Sequence, residues 1–173
     1  FGVLFTHSLL DCFTTWGTQL LWPLPHRIAW NTIFIIDPLY TVPLLMGVLG
    51  IALAKSERRR YWSTVFGLGL SSLYLAWTVG AKIHVNRAFA AHFKANNMTV
   101  TRFMTRPTPF NTVLWSVSAE TDTRYYFSNY RIGKAHSTPV MIPKRHAWPS
   151  EFLGKRQAQL TYITDGYYTL EQQ

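Results

Sequence analysis

Hydrophobic side chains are gathered into three stretches in the first half of this chain. Residues 61–81 are almost continuously apolar, and a helix of that length crosses the roughly 30 Å hydrocarbon core of a bilayer. Residues 38–54 form a second apolar run, and residues 1–16 form a third that Gly17 is expected to end. The pattern therefore predicts membrane helices at about 1–16, 38–54 and 61–93.

Residues that favour helix ends and helix contacts flank or lie within these runs. Asp37 and Pro38 come just before the second run, and Asp at the N-cap with Pro at the first helical position is a strong start signal. Asn96 and Asn97 are expected to end the helix predicted at about 61–93. Residues 17–36 contain two tryptophans and two prolines, which is typical of a loop at the membrane interface. Four small residues in the helix predicted at about 61–93 indicate close packing against another helix: Gly67, Gly69, Ser71 and Ser72.

The second half of the chain changes to the period-two alternation of β-strands. In residues 111–120, the side chains of Val113, Trp115 and Val117 alternate with other positions and share one face. The turn sequence "TDT" follows, and residues 124–132 resume a strand pattern. These two segments predict an antiparallel hairpin.

The remaining residues predict a short helix and another hairpin. The helix is expected at 147–159, and the hairpin at 160–170 around the turn Asp165–Gly166. The predicted fold class is a mainly α membrane protein with a small extramembrane α+β domain that contains β-hairpins. The transmembrane helical region is predicted at 1–93 and the extramembrane domain at 94–173.

Composition agrees with a membrane protein, and the charge pattern suggests its orientation. Hydrophobic residues make up 48% of the chain and charged residues 14%, against roughly 25% charged residues in soluble domains. Four positive charges lie in the run "KSERRR" between the two long apolar segments, as expected of a cytoplasmic loop. The chain is thus expected to be a multi-pass membrane protein whose C-terminal domain lies outside the cytoplasm, which for the inner membrane of a bacterium is the periplasm.

A net charge of +9 also raises the question of nucleic-acid binding. The positive charges of the second half are scattered along the sequence, so the lipid bilayer is the expected partner and nucleic acid is not. The segment "RYYFSNYRIGK" mixes aromatic residues with arginine, which fits RNA stacking or the solvated face of a hairpin equally well.

His7 and Asp11 are the first candidates for chemistry. A spacing of four residues places both side chains on one face of a helix, where an imidazole and a carboxylate can hold one metal ion. Ionisable groups in a membrane helix usually mark function. The alternative is a polar pair that is hydrogen-bonded within a helix bundle.

Two ligands do not complete a zinc site, which takes three or four from the protein. Asp37 is the third candidate ligand because it is expected at the same membrane edge as Gly17, although its role as an N-cap explains it without a metal. Thr14 and Thr15 lie one turn past Asp11 and are candidates to orient its carboxylate by hydrogen bonding, or to bond to their own helix.

Several stretches of the sequence resemble one known family. They are "THSLLDCFTTWGTQLLWP", "NTIFIIDPLYTVPLL", "KIHVN", "TPFNTVLWSV" and "GYYT", spread over nearly the whole chain. They are similar to the YdjM-like membrane-bound proteins, which are usually labelled metal-dependent hydrolases. Those proteins are similar in turn to the zinc-dependent phospholipase C and nuclease superfamily, whose helical H-x-x-x-D pairs hold zinc. The resemblance implies that His7 and Asp11 are metal ligands and that Asp37 lies close to the site.

The sequence also departs from that family. Its members carry a P-D-x-D stretch and an H-R-G-x-[ST]-H-S stretch in their N-terminal half, and neither is present here. The chain is therefore expected to be a fragment that lacks this half and the ligands in it. The expected activity is metal-dependent hydrolysis of an ester or phosphoester, with a lipid-linked or small-molecule substrate and zinc as the divalent metal. The alternative is a non-catalytic membrane adaptor or regulator whose outer domain binds a partner.

Overall fold

The computed structural model describes residues 2–24, 26–134, 137–144, 154–164 and 166–167 of the 173-residue chain. The described residues form four helices and one four-stranded sheet. The helices are α1 (Gly2–Asp11), α2 (Pro38–Leu53), α3 (Glu57–Ala95) and α4 (Lys155–Thr164), and the strands are β1 (Arg102–Pro107), β2 (Leu114–Glu120), β3 (Arg124–Arg131) and β4 (Val140–Pro143).

Helix α1 ends at Asp11, so the prediction of a helix as far as residue 16 is wrong. The carbonyl groups after Asp11 accept hydrogen bonds from a segment that returns past them, not from the next turn of helix. The Cys12 carbonyl accepts from the main-chain N–H of Trp30 at 2.7 Å, and the Phe13 carbonyl accepts from the N–H of Thr32 at 2.8 Å. Contacts with distant residues thus end the helix before Gly17 is reached.

Helices α2 and α3 form an antiparallel pair joined by residues 54–56. The predicted start of α2 is confirmed, because Asp37 is its N-cap and a side-chain oxygen of Asp37 accepts from the N–H of Leu39 at 2.9 Å. The predicted end of α3 is confirmed at Asn96, which is its C-cap. At 1.5 Å per residue, the 16 residues of α2 extend about 24 Å and the 39 residues of α3 about 58 Å.

Among the described helices, α3 alone is long and apolar enough to cross a membrane. Only 22% of its most apolar window is buried inside the structure, whereas the core helix of a soluble domain is mostly buried. Helix α2 is apolar but shorter than a usual span, and α1 has 10 residues. The structure therefore shows one candidate span where the sequence predicted three membrane helices.

The sheet is antiparallel, with its strands in the order β1-β2-β3-β4. The predicted hairpin is confirmed as β2 and β3, which pair with Val117 opposite Ser128. Trp115 and Val117 are buried on one face as predicted, but Val113 precedes the strand and is exposed. The sequence analysis did not predict β1 or β4.

The sheet packs on the C-terminal third of α3, and this contact forms the hydrophobic core. The core residues from the helix are Ala81, Val85, Phe89 and Phe93, and those from the sheet are Trp115, Val117, Ala119, Tyr126 and Tyr130. One continuous helix therefore supplies both the candidate membrane span and four of these nine core residues.

The second predicted hairpin is wrong in its first half, because residues 160–164 belong to helix α4. The hydroxyl of Thr164 donates to the Leu160 carbonyl at 2.7 Å, a contact between residues four apart that is typical of a helix. The predicted short helix at 147–159 lies partly outside the described residues, and from Lys155 onward it is helical. Asp165, the predicted turn residue, lies outside the described residues.

Candidate functional site

His7 and Asp11 lie one turn apart on α1, as their spacing predicts. The distance between His7 Nε2 and Asp11 Oδ2 is 3.6 Å, and 74% of the His7 side chain and 35% of the Asp11 side chain are exposed. This distance exceeds that of a usual hydrogen bond, so the two groups are neighbours that do not bind each other strongly. Each can therefore turn toward a third group without losing a strong partner.

The structure brings no third ligand to this pair within the part of the chain that it describes. Among the described residues, no group of three or more His, Cys, Asp or Glu side chains is placed to hold a metal ion. Five residues with suitable side chains lie outside the described ranges, namely His136, His146, Glu151, Asp165 and Glu171. His7 and Asp11 are thus two candidate ligands on a rigid helix, and the prediction that they bind a metal stays a prediction.

Asp37 occupies a different kind of environment, because its side chain is almost completely buried at 1% exposure. Its Oδ1 accepts from the main-chain N–H of Leu39 at 2.9 Å, and its Oδ2 accepts from the hydroxyl of Tyr74 at 2.9 Å. The Tyr74 hydroxyl also lies 3.2 Å from Thr112 Oγ1. These contacts connect the start of α2, the middle of α3 and the loop before β2. The sequence analysis did not identify the roles of Tyr74 and Thr112.

Thr14 and Thr15 follow the last turn of α1. Thr14 is 5% exposed, and its hydroxyl donates to the main-chain carbonyl of Asp11 at 2.9 Å. The same hydroxyl oxygen accepts from the N–H of Gly17 at 3.4 Å. Thr14 thus fixes the chain where α1 ends and contacts Asp11 through its main chain. Thr15 is partly buried beside it.

An open cavity lies between the segment after α1 and helix α3. It has a volume of 390 Å³ and is lined mainly by apolar groups, including Phe13, Trp30, Val79 and Ile83, with Lys82 at its wall. The ammonium group of Lys82 donates to the Thr105 carbonyl and lies 5.9 Å from the centre of the Trp115 ring. One lining residue, Phe13, lies only two residues after Asp11 in the sequence, and the mainly apolar lining suits an apolar group.

Paired charges occupy the face of the sheet that points away from α3. Glu120 is hydrogen-bonded by Arg102 and by Lys144, whose Nζ lies 2.6 Å from Glu120 Oε1. The Lys144 ammonium also lies 5.4 Å from the ring centre of Tyr125. Burial raises the pKa of Glu120, but the hydrogen bonds from Lys144 and Arg102 outweigh that effect, so the pKa lies below its ordinary value. Basic and aromatic residues of this face thus bind one another.

Within the described ranges, these features define a helix-rich protein with one candidate membrane span and a four-stranded sheet on the extension of the same helix. Its first 85 residues match the family model described as YdjM inner membrane protein, which confirms for residues 1–85 the resemblance drawn from the sequence. The matched part contains His7, Asp11 and Asp37 and ends within α3, so the sheet lies beyond it. No curated protein and no solved structure matches the chain.

Proposed function

We propose that this protein is a membrane-bound, metal-dependent hydrolase in which His7 and Asp11 supply two ligands to a divalent ion. The observation that carries the proposal is the pair itself, with Nε2 and Oδ2 3.6 Å apart on one exposed helix face. An imidazole nitrogen and a carboxylate oxygen are ligands that suit zinc, and the helix places both side chains on one face. The match of residues 1–85 to the family of inner membrane proteins supports the proposed location in the membrane.

The proposal requires at least one further ligand, because a catalytic zinc takes three protein ligands and a water molecule. Asp37 is one candidate, since each of its oxygens accepts one hydrogen bond and a carboxylate oxygen has a second lone pair. The other candidates are the His, Asp and Glu residues outside the described ranges. In either case His7 and Asp11 hold the ion from one side.

An ester or phosphoester is the substrate class we propose, and a lipid-linked one fits the position of the pair. A bound divalent ion would lower the pKa of a water molecule toward ~7 and polarise the bond to be broken. The apolar cavity beside Phe13 and Trp30 offers a place for a hydrocarbon chain close in sequence to Asp11. The positive charges of residues 55–60 support an orientation with the sheet in the periplasm.

The test measures metal content and hydrolysis on the purified chain in detergent. Wild-type protein, His7→Ala, Asp11→Ala and the control His26→Ala are loaded with zinc, dialysed and analysed for bound metal, then assayed with a chromogenic phosphodiester. His26 is a suitable control because it is an exposed histidine outside α1. We expect about one zinc ion per chain in the wild type and in His26→Ala, and loss of zinc and activity in the other two. Equal metal content in all four proteins would reject His7 and Asp11 as ligands.

A second function, that of a non-catalytic adaptor or regulator, is favoured by one observation. Both oxygens of Asp37 accept hydrogen bonds from groups of the protein, which satisfy this carboxylate without a metal. This function predicts that chelators change neither the stability nor the hydrogen exchange of the chain. The metal analysis above distinguishes the two functions, because an adaptor would bind no zinc in any variant.

A further inference from the structure

A groove lies where α2 ends and α3 begins, at the opposite end of the helix pair from Asp37. It has a volume of 680 Å³, and its apolar wall is formed by Met46, Leu53, Trp62 and Phe66. Helix α2 runs about 24 Å from its N-cap at Asp37 to this end. The groove is therefore far from Asp37, and neither His7 nor Asp11 lines it.

Two arginines, Arg58 and Arg59, line the same groove. The one acidic residue of the run "KSERRR" is Glu57, and its carboxylate is bound by Arg60 at 3.0 Å. Arg60 does not line the groove. The acidic group is thus engaged by the arginine outside the groove, and the groove carries two positive charges beside an apolar wall.

We infer that this groove binds an anionic phospholipid, with its phosphate at Arg58 and Arg59 and an acyl chain along the apolar wall. Guanidinium groups bind phosphate oxygens through paired N–H donors, and basic residues at the end of a membrane helix attract anionic lipids. Trp62 prefers the level of the lipid headgroups, where the two parts of the ligand join.

The combination of charge and apolar surface selects a lipid over other occupants. A soluble anion would use the arginines alone and make no contact with the apolar wall of Met46, Leu53 and Phe66. A second copy of the chain would have to offer acidic groups, but the chain has 8 acidic residues against 17 lysines and arginines. A phospholipid satisfies both the arginines and the apolar wall.

The test uses the full chain in nanodiscs and compares two double variants that remove the same charge. Arg58→Gln/Arg59→Gln removes two positive charges from the groove, and Lys55→Gln/Arg60→Gln removes two from the same run outside it. Binding of fluorescent phosphatidylglycerol is measured against phosphatidylcholine as the neutral reference. All four side chains lie at the exposed end of the helix pair, and circular dichroism verifies that each variant is folded.

We expect the wild type and Lys55→Gln/Arg60→Gln to prefer phosphatidylglycerol by about tenfold, and Arg58→Gln/Arg59→Gln to lose most of that preference. Trp62→Ala should weaken the binding of both lipids, whereas Tyr61→Ala, a neighbour outside the groove, should not.

Equal loss in the two double variants would overturn the inference, because it would show attraction to the overall charge alone. Displacement of the lipid by an equal concentration of glycerol phosphate would also overturn it. Because no step depends on zinc, failure here and failure of the hydrolase proposal are distinguishable.

Discussion

Gly47 of α2 and Gly67 of α3 lie against each other with no space for a side chain on either. A Cβ atom built on Gly47 would be 3.0 Å from the Cα of Gly67, and a Cβ atom on Gly67 would be 3.0 Å from the Cα of Gly47. Three residues further along α2, a Cβ atom on Gly50 would be 2.5 Å from the hydroxyl oxygen of Ser63. Small residues let two helix backbones approach closely, and such contacts hold helices together inside a bilayer.

Gly47→Val is expected to separate α2 from α3. The added side chain would meet main-chain atoms of Gly67 and Ser63, which cannot turn aside as a flexible side chain would. We expect a loss of about 1–3 kcal/mol of stability, the usual cost of overpacking. The free energy of unfolding by sodium dodecyl sulfate in mixed micelles measures this.

Gly69→Val is the matched control for that prediction, because nothing lies within 4 Å of a Cβ atom at Gly69. The same substitution on α3 should change stability by less than about 0.5 kcal/mol. A similar loss in both variants would contradict the contact between Gly47 and Gly67. The sequence predicted small residues for packing at both Gly67 and Gly69, but only the structure shows which of them faces α2.

Asp37→Ala is expected to destabilise the protein more than Asp37→Asn. Alanine removes the N-cap of α2 and leaves the Tyr74 hydroxyl without its carboxylate acceptor, at a cost of about 2–3 kcal/mol. Asparagine keeps an oxygen that can accept from Leu39, and its amide can donate to the Tyr74 hydroxyl. Thermal unfolding in detergent, followed by tryptophan fluorescence, compares the variants.

Asp122→Ala, at an exposed turn, is the control and should leave stability unchanged. The Asp37→Asn variant also decides whether Asp37 is a metal ligand. A stable Asp37→Asn protein that keeps its zinc would show that Asp37 acts as a cap alone. A stable variant that loses its zinc would support the predicted third ligand.

The parts of the fold that were predicted from sequence depend on neighbouring residues. Asp37 and Asn96 determine helix ends through groups within a few residues of them, so their roles can be read locally. The end of α1 depends on a hydrogen bond between Phe13 and Thr32, which are 19 residues apart. Likewise, β1 is a strand because β2 supplies its partners, and no spacing within residues 102–107 indicates that pairing.

The candidate site likewise contains one contact that is local in sequence and others that join distant residues. One helical turn brings His7 and Asp11 together, and their spacing in the sequence is sufficient to predict it. The hydrogen bond between Tyr74 and Asp37 joins residues 37 apart, and the contact of Tyr74 with Thr112 joins residues 38 apart. These contacts exist only because α2, α3 and the loop before β2 meet in the folded chain.

The sheet is expected to lose stability in acid through Glu120. Its pKa in the folded protein lies below the ordinary value of 4.5, because hydrogen bonds from Lys144 and Arg102 outweigh the effect of burial. The stabilisation is therefore complete above about pH 4.5 and is lost as the pH falls through the lowered pKa of the folded state. Its size should be about 1 kcal/mol or less, since Arg102 is 48% exposed.

Hydrogen exchange of β1 and β2 peptides at about pH 6 and pH 3, corrected for intrinsic rates, measures this loss. Glu120→Gln should be less stable than the wild type at pH 6 and should show a smaller change between the two values, because glutamine does not titrate. If the variant and the wild type lost the same protection in acid, other carboxyl groups would be responsible.

Phe89→Ala is expected to loosen the sheet from α3 while leaving the α2–α3 pair intact. Phe89 is fully buried, and its ring centre lies 6.0 Å from that of Phe93 and 5.9 Å from that of Tyr130. Removing a buried phenylalanine ring costs about 3–5 kcal/mol, so hydrogen exchange in β2 and β3 should accelerate at least about 100-fold.

Phe66→Ala is the matched control, since the same ring on the same helix is 51% exposed. It should leave exchange in the sheet unchanged. Faster exchange in α2 but not in β2 and β3 would contradict the assignment of Phe89 to the core of the sheet domain. The expected result would show that the C-terminal part of α3, the helix that contains the candidate membrane span, stabilises the sheet by packing against it.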